Sequence, residues 1–318
     1  MAPSYDTLGF IGLGAMGEPM IGNVIRKMPN CQIQVYDISR EALEKISAKH
    51  DKVRICSSSR EVAEKSEVIL SMVPEGSHVR SVYLTPDTGV LGLDASGKLL
   101  VDCSTIDTAS SLEVREECLK KYPTAGFYDA PVSGGALGAE KGTLTFMVGC
   151  AEDDPKWPEL QALLGMMGKS IVACGGPSLG LTAKLCNNYC SALIALATSE
   201  AMNIGMRAGM DPRVLANVFK TSTAQSAIAE KFNPVPGLSP EAPPSHGYQG
   251  GFKVQLMRKD FSLAVDTARR VGAKTVLSEV GLETYDKASK DPRCKDLDSR
   301  VVYRYLDGRE DWLKDFDG

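Results

Sequence analysis

Three glycines near the start of the chain constrain its fold most strongly. Gly12, Gly14 and Gly17 stand in GFIGLGAMGEPM, directly after a β-rich run and before a helix-like segment. From Leu8 to about Cys174, β-rich runs alternate with segments rich in Ala, Glu, Leu and Lys; the runs are GFIGLG, QIQVYD, EVILSMV, KLLVDCS, GFYDA, TLTFMVG and SIVAC. This alternation is typical of βαβ units. It predicts an α/β fold with a Rossmann-like, doubly wound and mostly parallel sheet.

The alternation of β-rich and helix-like segments ends at GGPSLG, residues 175–180, which indicates a domain boundary. After it the sequence predicts one long helix from about Leu181 to Arg207, ended by Gly209 and Asp211–Pro212. Three more helices are predicted, with a Pro- and Gly-rich loop at 233–251 before the second; they cover 212–222, 252–272 and 274–290. We therefore expect a Rossmann domain at 1–178 and an all-helical domain at 179–318 that begins with the long helix.

Charge and hydropathy exclude two classes of partner. The formal net charge is −4, and no basic block is present that would neutralise a run of phosphates, so we expect no nucleic acid partner. The longest apolar runs, such as ALIALA at 192–197, fall far short of the roughly 20 residues that cross a bilayer. No membrane span is predicted.

Cysteine usage and the N-terminal segment bear on the compartment. The nine cysteines are odd in number, form no CxxC pair and accompany only three histidines, so neither a disulfide framework nor a metal site is predicted. Free thiols indicate a reducing compartment. Residues 1–7, MAPSYDT, show neither an apolar signal core nor an Arg-rich presequence. We expect a cytoplasmic protein, or one of the mitochondrial matrix if a presequence has been removed.

The glycine loop predicts a dinucleotide site. Glycines spaced G-x-G-x-x-G permit a tight turn and let backbone amides approach a pyrophosphate, so the loop Gly12, Leu13, Gly14, Ala15, Met16 and Gly17 is a candidate cofactor site. Asp37 ends QIQVYD, where an acid accepts hydrogen bonds from ribose hydroxyls, which favours NAD. Arg40 lies close enough to keep NADP open. The alternatives are a ligand-free turn for the loop and a simple turn or helix-capping role for Asp37.

Two further segments carry candidate chemistry for a small acid. In DAPVSGG at 129–135, Ser133 offers a hydroxyl, and Gly134 and Gly135 offer unshielded amides, a natural cradle for a carboxylate. The alternative is a turn in which the glycines only meet positive φ. His78 is placed at the start of a helix after the predicted strand EVILSMV, at the carboxyl edge where a cofactor lies.

Lys184 and Asn188 are four residues apart, on one face of the long helix. Lys184 is predicted close to the helix start, where the dipole disfavours an ammonium and lowers the lysine pKa, so that it can shuttle a proton. The alternatives are a solvated lysine and an asparagine that packs between helices. Lys259 and Asp260, in MRKDFSLA, begin another helix and by themselves indicate only a solvated face.

Together these segments resemble the β-hydroxyacid dehydrogenases, and within them the branch that acts on 3-hydroxyisobutyrate. The resemblance runs from about Leu8 to Ala288 and rests on motifs in the family's order and spacing: GFIGLGAMGEPM, DCSTID, DAPVSGG, GTLTFMVG, GLTAKLCNN, NPVPGL, YQGGF and MRKDFSLA. DAPVSGG and KLCNN are specific to the family, whereas the glycine spacing is not.

The resemblance implies a role for each candidate residue. Lys184 is the catalytic acid/base, and the substrate is bound by Ser133, Gly134, Gly135, Asn188 and Lys259. The loop from Gly12 to Gly17 and Asp37 hold the adenosine half of the cofactor, whereas its nicotinamide half is approached by Val73, Pro74, His78, Thr105 and Lys259. The long helix packs into a partner subunit, which implies a homodimer or homotetramer.

The implied reaction transfers hydride between the hydroxyl carbon of a 3-hydroxy acid and NAD, with 3-hydroxyisobutyrate and methylmalonate semialdehyde as the expected pair. Residues 221–230, TSTAQSAIAE, lack the Arg and Trp that the family usually carries there. Other substrates therefore stay open: tartronate semialdehyde, serine or 4-hydroxybutyrate. An imine reductase using NADPH is disfavoured by Lys184, and a non-catalytic dinucleotide-binding protein is the alternative of another class.

Overall fold

A computed structural model describes residues 5–316. The chain divides into two compact units, Met1–Lys184 and Leu185–Gly318. The first four residues of the segment 1–7, and the predicted domain limits at 1 and 318, lie outside the described residues.

The first unit contains a six-stranded parallel sheet with the order β3-β2-β1-β4-β5-β6. Its strands are β1 (Thr7–Ile11), β2 (Gln32–Tyr36), β3 (Val53–Ile55), β4 (Val68–Ser71), β5 (Leu99–Asp102) and β6 (Gly126–Asp129). The order reverses between β1 and β4, which is the point where a doubly wound sheet binds its ligand. The predicted Rossmann-like fold is confirmed.

Side chains from alternate positions of the strands fill two cores, one on each face of this sheet. In β1, Leu8 and Phe10 join one cluster and Ile11 joins the other. In β4, Leu70 and Ile69 divide in the same way. A parallel strand covered by helices on both faces must be apolar at every position, which explains the continuous hydrophobic runs in the sequence.

Seven helices belong wholly to the first unit: α1 (Gly17–Lys27), α2 (Arg40–Lys49), α3 (Ser59–Glu64), α4 (Gly76–Leu84), α5 (Thr108–Lys121), α6 (Gly135–Lys141) and α7 (Trp157–Leu164). Side chains cap the N-termini of three of them. Ser39 caps α2, Ser58 caps α3 and Asp107 caps α5, each by accepting a hydrogen bond from a backbone amide of the first turn.

The last two predicted β-rich runs do not extend the parallel sheet. They form β8 (Leu144–Val148) and β9 (Gly168–Ala173), which join β7 (Val132–Ser133) in a separate sheet with the order β7-β8-β9. β7 is antiparallel to β8, and β8 is parallel to β9. The expectation that TLTFMVG and SIVAC belong to the parallel Rossmann-like sheet is therefore wrong.

The long helix α8 (Leu179–Arg207) runs from the first unit into the second. It begins two residues before the predicted start because Gly176 O already accepts a hydrogen bond from Leu179 N. Among the described residues, no helix has the length and hydropathy needed to cross a membrane.

The second unit contains helices α9 (Pro212–Thr221), α10 (Ala227–Lys231), α11 (Val254–Arg270), α12 (Ser278–Lys290), α13 (Val302–Tyr305) and α14 (Leu313–Phe316). The predicted helix at 274–290 begins four residues later, where the Ser278 hydroxyl donates to Thr275 O. Around α11 and α12, Phe261 stacks on Tyr189 with ring centroids 4.8 Å apart, and Tyr285 donates its hydroxyl to Ala192 O. These contacts build the core of the second unit.

Candidate active site

The three glycines of the loop between β1 and α1 differ in the space around them. Gly12 has φ +96°, and a methyl added there would overlap Met72 O; one added at Gly17 would overlap Gly12 O. A methyl at Gly14 would meet nothing within 4 Å. Gly12 and Gly17 therefore serve close packing of the backbone, whereas Gly14 lies on the open side of the turn, where a pyrophosphate approaches.

Asp37 directly follows β2 and fixes this loop. One carboxylate oxygen accepts Leu13 N at 2.6 Å, and the other accepts Ser39 N at 2.6 Å. Each oxygen can accept a further hydrogen bond. Asp37 is half-buried and therefore reachable by a ribose hydroxyl. The capping of α2 falls to Ser39, so the capping alternative for Asp37 is wrong, whereas its hydrogen bond with Ser39 N fits the turn alternative.

The loops after β4 and β5 are tied together. Val73 N donates to the hydroxyl of Ser104 at 2.9 Å, and this hydroxyl donates to Asp102 Oδ1 at 2.6 Å. Ser71 donates to the same oxygen at 2.7 Å. The residues expected along the nicotinamide lie on these two loops: Val73, which binds Ser104, and Pro74 and Thr105, which follow Val73 and Ser104 in the sequence.

Asp102 was not among the predicted site residues. It is fully buried, its Oδ2 has no hydrogen-bond partner among the described residues, and burial raises its pKa from 3.8 to about 6 against the hydrogen bonds of Ser104 and Ser71, which lower it. The signal that identified Asp37, an acid that ends a β-rich run, also marks Asp102 in KLLVDCS.

The DAPVSGG segment brings the predicted cradle to the edge of the second sheet. Ser133 ends β7, and Gly134 and Gly135 follow it with φ of +135° and +63° at the start of α6. Both glycines are exposed and Ser133 is half-buried. Their backbones therefore do need glycine, and their amides also lie where a small anion can reach them.

Lys184 is buried, with 7% of its surface exposed, in a helix whose first turn is held by Asp129 of DAPVSGG. It is the sixth residue of α8, whereas the predicted start at Leu181 made it the fourth. A helix dipole acts mainly within the first turn, and the Asp129 carboxylate offsets its positive end. The dipole explanation for a tuned lysine is therefore not supported.

Within the second unit, Asn188 and Lys259 are joined by Asp260. Asn188 Nδ2 donates to Asp260 Oδ2 at 2.6 Å, and Lys259 Nζ forms an ion pair with Asp260 Oδ1 at 3.2 Å. Asn188 also accepts a hydrogen bond from Asn187 at 3.1 Å. Asp260 is only 1% exposed, so the solvated-face interpretation of this Lys-Asp pair is wrong and Asp260 belongs with the candidate site residues.

The remaining predicted residue, His78, is exposed in the first turn of α4. The first unit holds the glycine loop with Asp37, the loops after β4 and β5, the cradle and Lys184. Asp102 and Asp129 stand in register at the ends of β5 and β6. Among residues 5–316, no cluster of three His, Cys, Asp or Glu side chains is suited to hold a metal ion.

Two families cover most of the chain. Residues 7–176 match the family described as "NAD binding domain of 6-phosphogluconate dehydrogenase", and residues 179–306 match the one described as "NAD-binding of NADP-dependent 3-hydroxyisobutyrate dehydrogenase". The cofactor is therefore NAD or its phosphorylated form, in agreement with the open side of the glycine loop.

Individual relatives cover the chain almost completely. A probable mitochondrial 3-hydroxyisobutyrate dehydrogenase of Dictyostelium discoideum is 42% identical, over 95% of this chain and 91% of the relative. A 3-hydroxyisobutyrate dehydrogenase of Pseudomonas aeruginosa is 36% identical, over 95% and 99%. The solved structure of Mycobacterium tuberculosis 3-hydroxyisobutyrate dehydrogenase with L-serine has a TM-score of 0.87 and 31% identity, over 95% and 99%.

Proposed function

Because the chain belongs to the β-hydroxyacid dehydrogenase family, we propose that its substrate is 3-hydroxyisobutyrate and that Lys184 is the acid/base of the reaction. The chain is an NAD-dependent oxidoreductase of the 3-hydroxyisobutyrate dehydrogenase type, acting on a hydroxy acid. The observation that carries the choice of substrate is identity of 36–42% with relatives of that name over 95% of the chain.

Bound by the glycine loop and Asp37, NAD would supply the acceptor for a hydride from the hydroxyl carbon of the substrate. Lys184 Nζ accepts the hydroxyl proton in oxidation and returns it in reduction. The burial of Lys184 supports this role, because a lysine is rarely buried unless its side chain serves a specific contact or reaction. The hydroxyl of Ser133 and the exposed amides of Gly134 and Gly135 receive the carboxylate, since α6 and β7 present all three on one turn.

Asn188 orients the substrate, because it stands one helical turn after Lys184 in α8. Its amide is fixed by Asn187 and Asp260, so its free N–H and lone pair point in set directions. Lys259 shares Asp260 and adds a positive charge for an acidic substrate. The roles of Gly14, Asp37, Val73, Pro74, His78 and Thr105 toward the cofactor are proposals of the same kind.

L-serine is the second candidate substrate. It is a 3-hydroxy acid of similar size, and the Mycobacterium tuberculosis relative was solved with it. The segment 221–230 lacks the Arg and Trp usual in the family and gives no reason to prefer one of the two acids.

A homodimer or homotetramer is proposed from a stripe on α8. Six residues of α8, spaced alternately three and four apart, have exposed or half-exposed side chains: Asn187, Cys190, Ile194, Ala197, Ala201 and Ile204. All of these side chains are small or apolar except that of the asparagine. Such a stripe is suited to bury itself against a second copy. All nine cysteines are free thiols, which supports a reducing compartment, either the cytosol or the mitochondrial matrix.

The test follows absorbance at 340 nm with NAD or NADP and a panel of 3-hydroxyisobutyrate, L-serine, 3-hydroxypropionate, glycerate and 4-hydroxybutyrate. We expect the highest kcat/KM for 3-hydroxyisobutyrate with NAD. Lys184→Ala, checked for retained NAD binding, should lower kcat by at least about a hundredfold. A higher kcat/KM for serine would replace the substrate, and an active Lys184→Ala protein would refute the role of the lysine.

A further inference from the structure

Asp129 ends β6 and is 3% exposed, and its carboxylate faces the start of α8. Oδ1 accepts Ser178 N at 2.8 Å, and Oδ2 accepts Leu181 N at 2.9 Å. Ser178 directly precedes the helix that carries Lys184, and Leu181 lies in its first turn, three residues before Lys184. Asp129 is also four residues before Ser133 of the cradle. One carboxylate therefore contacts the lysine's helix and shares a segment with the cradle.

Two glycines make room for this carboxylate. A methyl added at Gly149 would overlap the carboxylate of Asp129. One added at Gly180 would lie 2.8 Å from Asp129 Oδ2 and would overlap Met147 O. Burial raises the pKa of Asp129, whereas the backbone amides of Leu181, Ser178 and Gly180 lower it. The surroundings thus supply hydrogen-bond donors in place of water and leave no space for a larger side chain.

We propose that Asp129 is a positioning residue for the reaction: it holds the first turn of α8 so that Lys184 meets a substrate bound by Ser133, Gly134 and Gly135. This inference rests on the proposed role of Lys184. The Asp129 carboxylate accepts hydrogen bonds from Ser178 and Leu181, which are remote in sequence from the glycine loop and Asp37. Replacing Asp129 should therefore lower kcat and leave the affinity for NAD unchanged.

Asp129→Asn tests this with little change in volume. The amide of asparagine would turn a donor toward Ser178 N or Leu181 N, and the first turn of α8 would shift to avoid it. We expect kcat to fall by about 10- to 100-fold, since a displacement of roughly 1 Å costs about that factor, whereas the Kd for NAD stays within about twofold. Ser178→Gly is the matched control. It keeps the backbone donor, suits the φ of +65° and should leave kcat within about twofold.

Gly149→Ala is a second variant that keeps the charge of Asp129 and displaces it. It should show the same loss of kcat at unchanged Kd for NAD, and it decides the matter if Asp129→Asn does not fold by circular dichroism. The inference is overturned if a folded variant of either kind keeps the wild-type kcat, or if NAD affinity falls as much as kcat. Lys184→Ala separates the two proposals: activity in that variant refutes the proposed function, whereas an inactive Lys184→Ala with a fully active Asp129→Asn refutes only this inference.

Discussion

Asp37, Asp102 and Asp129 stand at the carboxyl ends of three strands of the parallel sheet, and each holds a neighbouring segment. Asp37 binds the glycine loop, and Asp129 binds the first turn of α8. Asp102 binds Ser71 at the end of β4 and Ser104 after β5. A short carboxylate with two acceptor oxygens suits this task, because the amides of a tight loop have no partners within the loop itself. The loops that form the candidate site are thus fixed by acids at the strand ends.

The acid at position 37 should also decide between the two cofactors. Asp37→Ala removes a charged acceptor for ribose hydroxyls and the negative charge that repels a 2′-phosphate. We expect KM for NAD to rise by about 10- to 100-fold, from the roughly 1.5–3 kcal/mol of a hydrogen bond to a charged group, and the preference for NAD over NADP to narrow. Initial rates with both cofactors measure it, with the exposed Arg40→Ala as control, for which only the use of NADP should fall. An unchanged cofactor ratio in Asp37→Ala would contradict the assignment.

The raised pKa of Asp102 has a consequence for stability. Because the pKa in the folded protein, about 6, lies above the unfolded value of 3.8, the folded state binds the proton more tightly, and stability falls as pH rises from about 4 to 6. The total loss of unfolding free energy that corresponds to this rise in pKa is about 3 kcal/mol. Asp102→Asn keeps an acceptor for Ser71 and Ser104 and carries no charge, so this loss should be absent from it.

Chemical denaturation of the wild type and of Asp102→Asn at pH 4.5 and at pH 7 measures this difference, since other titrating groups contribute equally to both proteins. Equal losses of unfolding free energy in the two proteins would show that Asp102 does not titrate in this range.

At the level of the elements, hydrophobic patterns predicted most strands and helices, but not their limits or their partners. TLTFMVG and SIVAC read as strands, yet nothing in their letters tells which sheet they join, because that depends on Val132 and Ser133 pairing with β8. The start of α12 at Ser278 depends on a hydrogen bond to Thr275. The sequence assigned Asp260 to a solvated face because its hydrogen-bond partner, Asn188, lies 72 residues away in the sequence.

The turn from β1 to α1 permits a comparison of two glycine substitutions. Gly17→Ala places a methyl against Gly12 O and should destabilise the first unit by several kcal/mol or abolish folding. Gly14→Ala meets no atom within 4 Å, so its melting temperature should stay near that of the wild type. Its Kd for NAD should nevertheless rise by at least about tenfold, because the methyl occupies the side that the pyrophosphate approaches. Thermal unfolding and calorimetric titration measure both, and tight NAD binding by Gly14→Ala would contradict a pyrophosphate at this loop.

At the scale of the whole molecule, α8 joins the two units as one continuous helix, and each unit holds its own candidate groups. The glycine loop, the cradle and Lys184 belong to the first unit, whereas Asn188, Lys259 and Asp260 belong to the second. In the sequence, DAPVSGG and KLCNN stand on either side of residues 175–180, which assigns Lys184 to the helical domain, whereas the structure counts Lys184 with the first unit.

The stripe on α8 gives a test of assembly. Ile204 is 70% exposed. Ile204→Glu would bury an unpaired carboxylate in the contact with a second copy, and the free-energy cost of removing that charge from water opposes assembly. We expect light scattering after size exclusion to give a mass above one chain for the wild type and a lower mass for Ile204→Glu. Val276→Glu is the matched control: Val276 is 90% exposed, lies between α11 and α12 and is not part of the stripe, so the mass should stay that of the wild type. Loss of assembly in the control alone would move the interface to the surface between α11 and α12, and a monomeric wild type would contradict an oligomer built on α8.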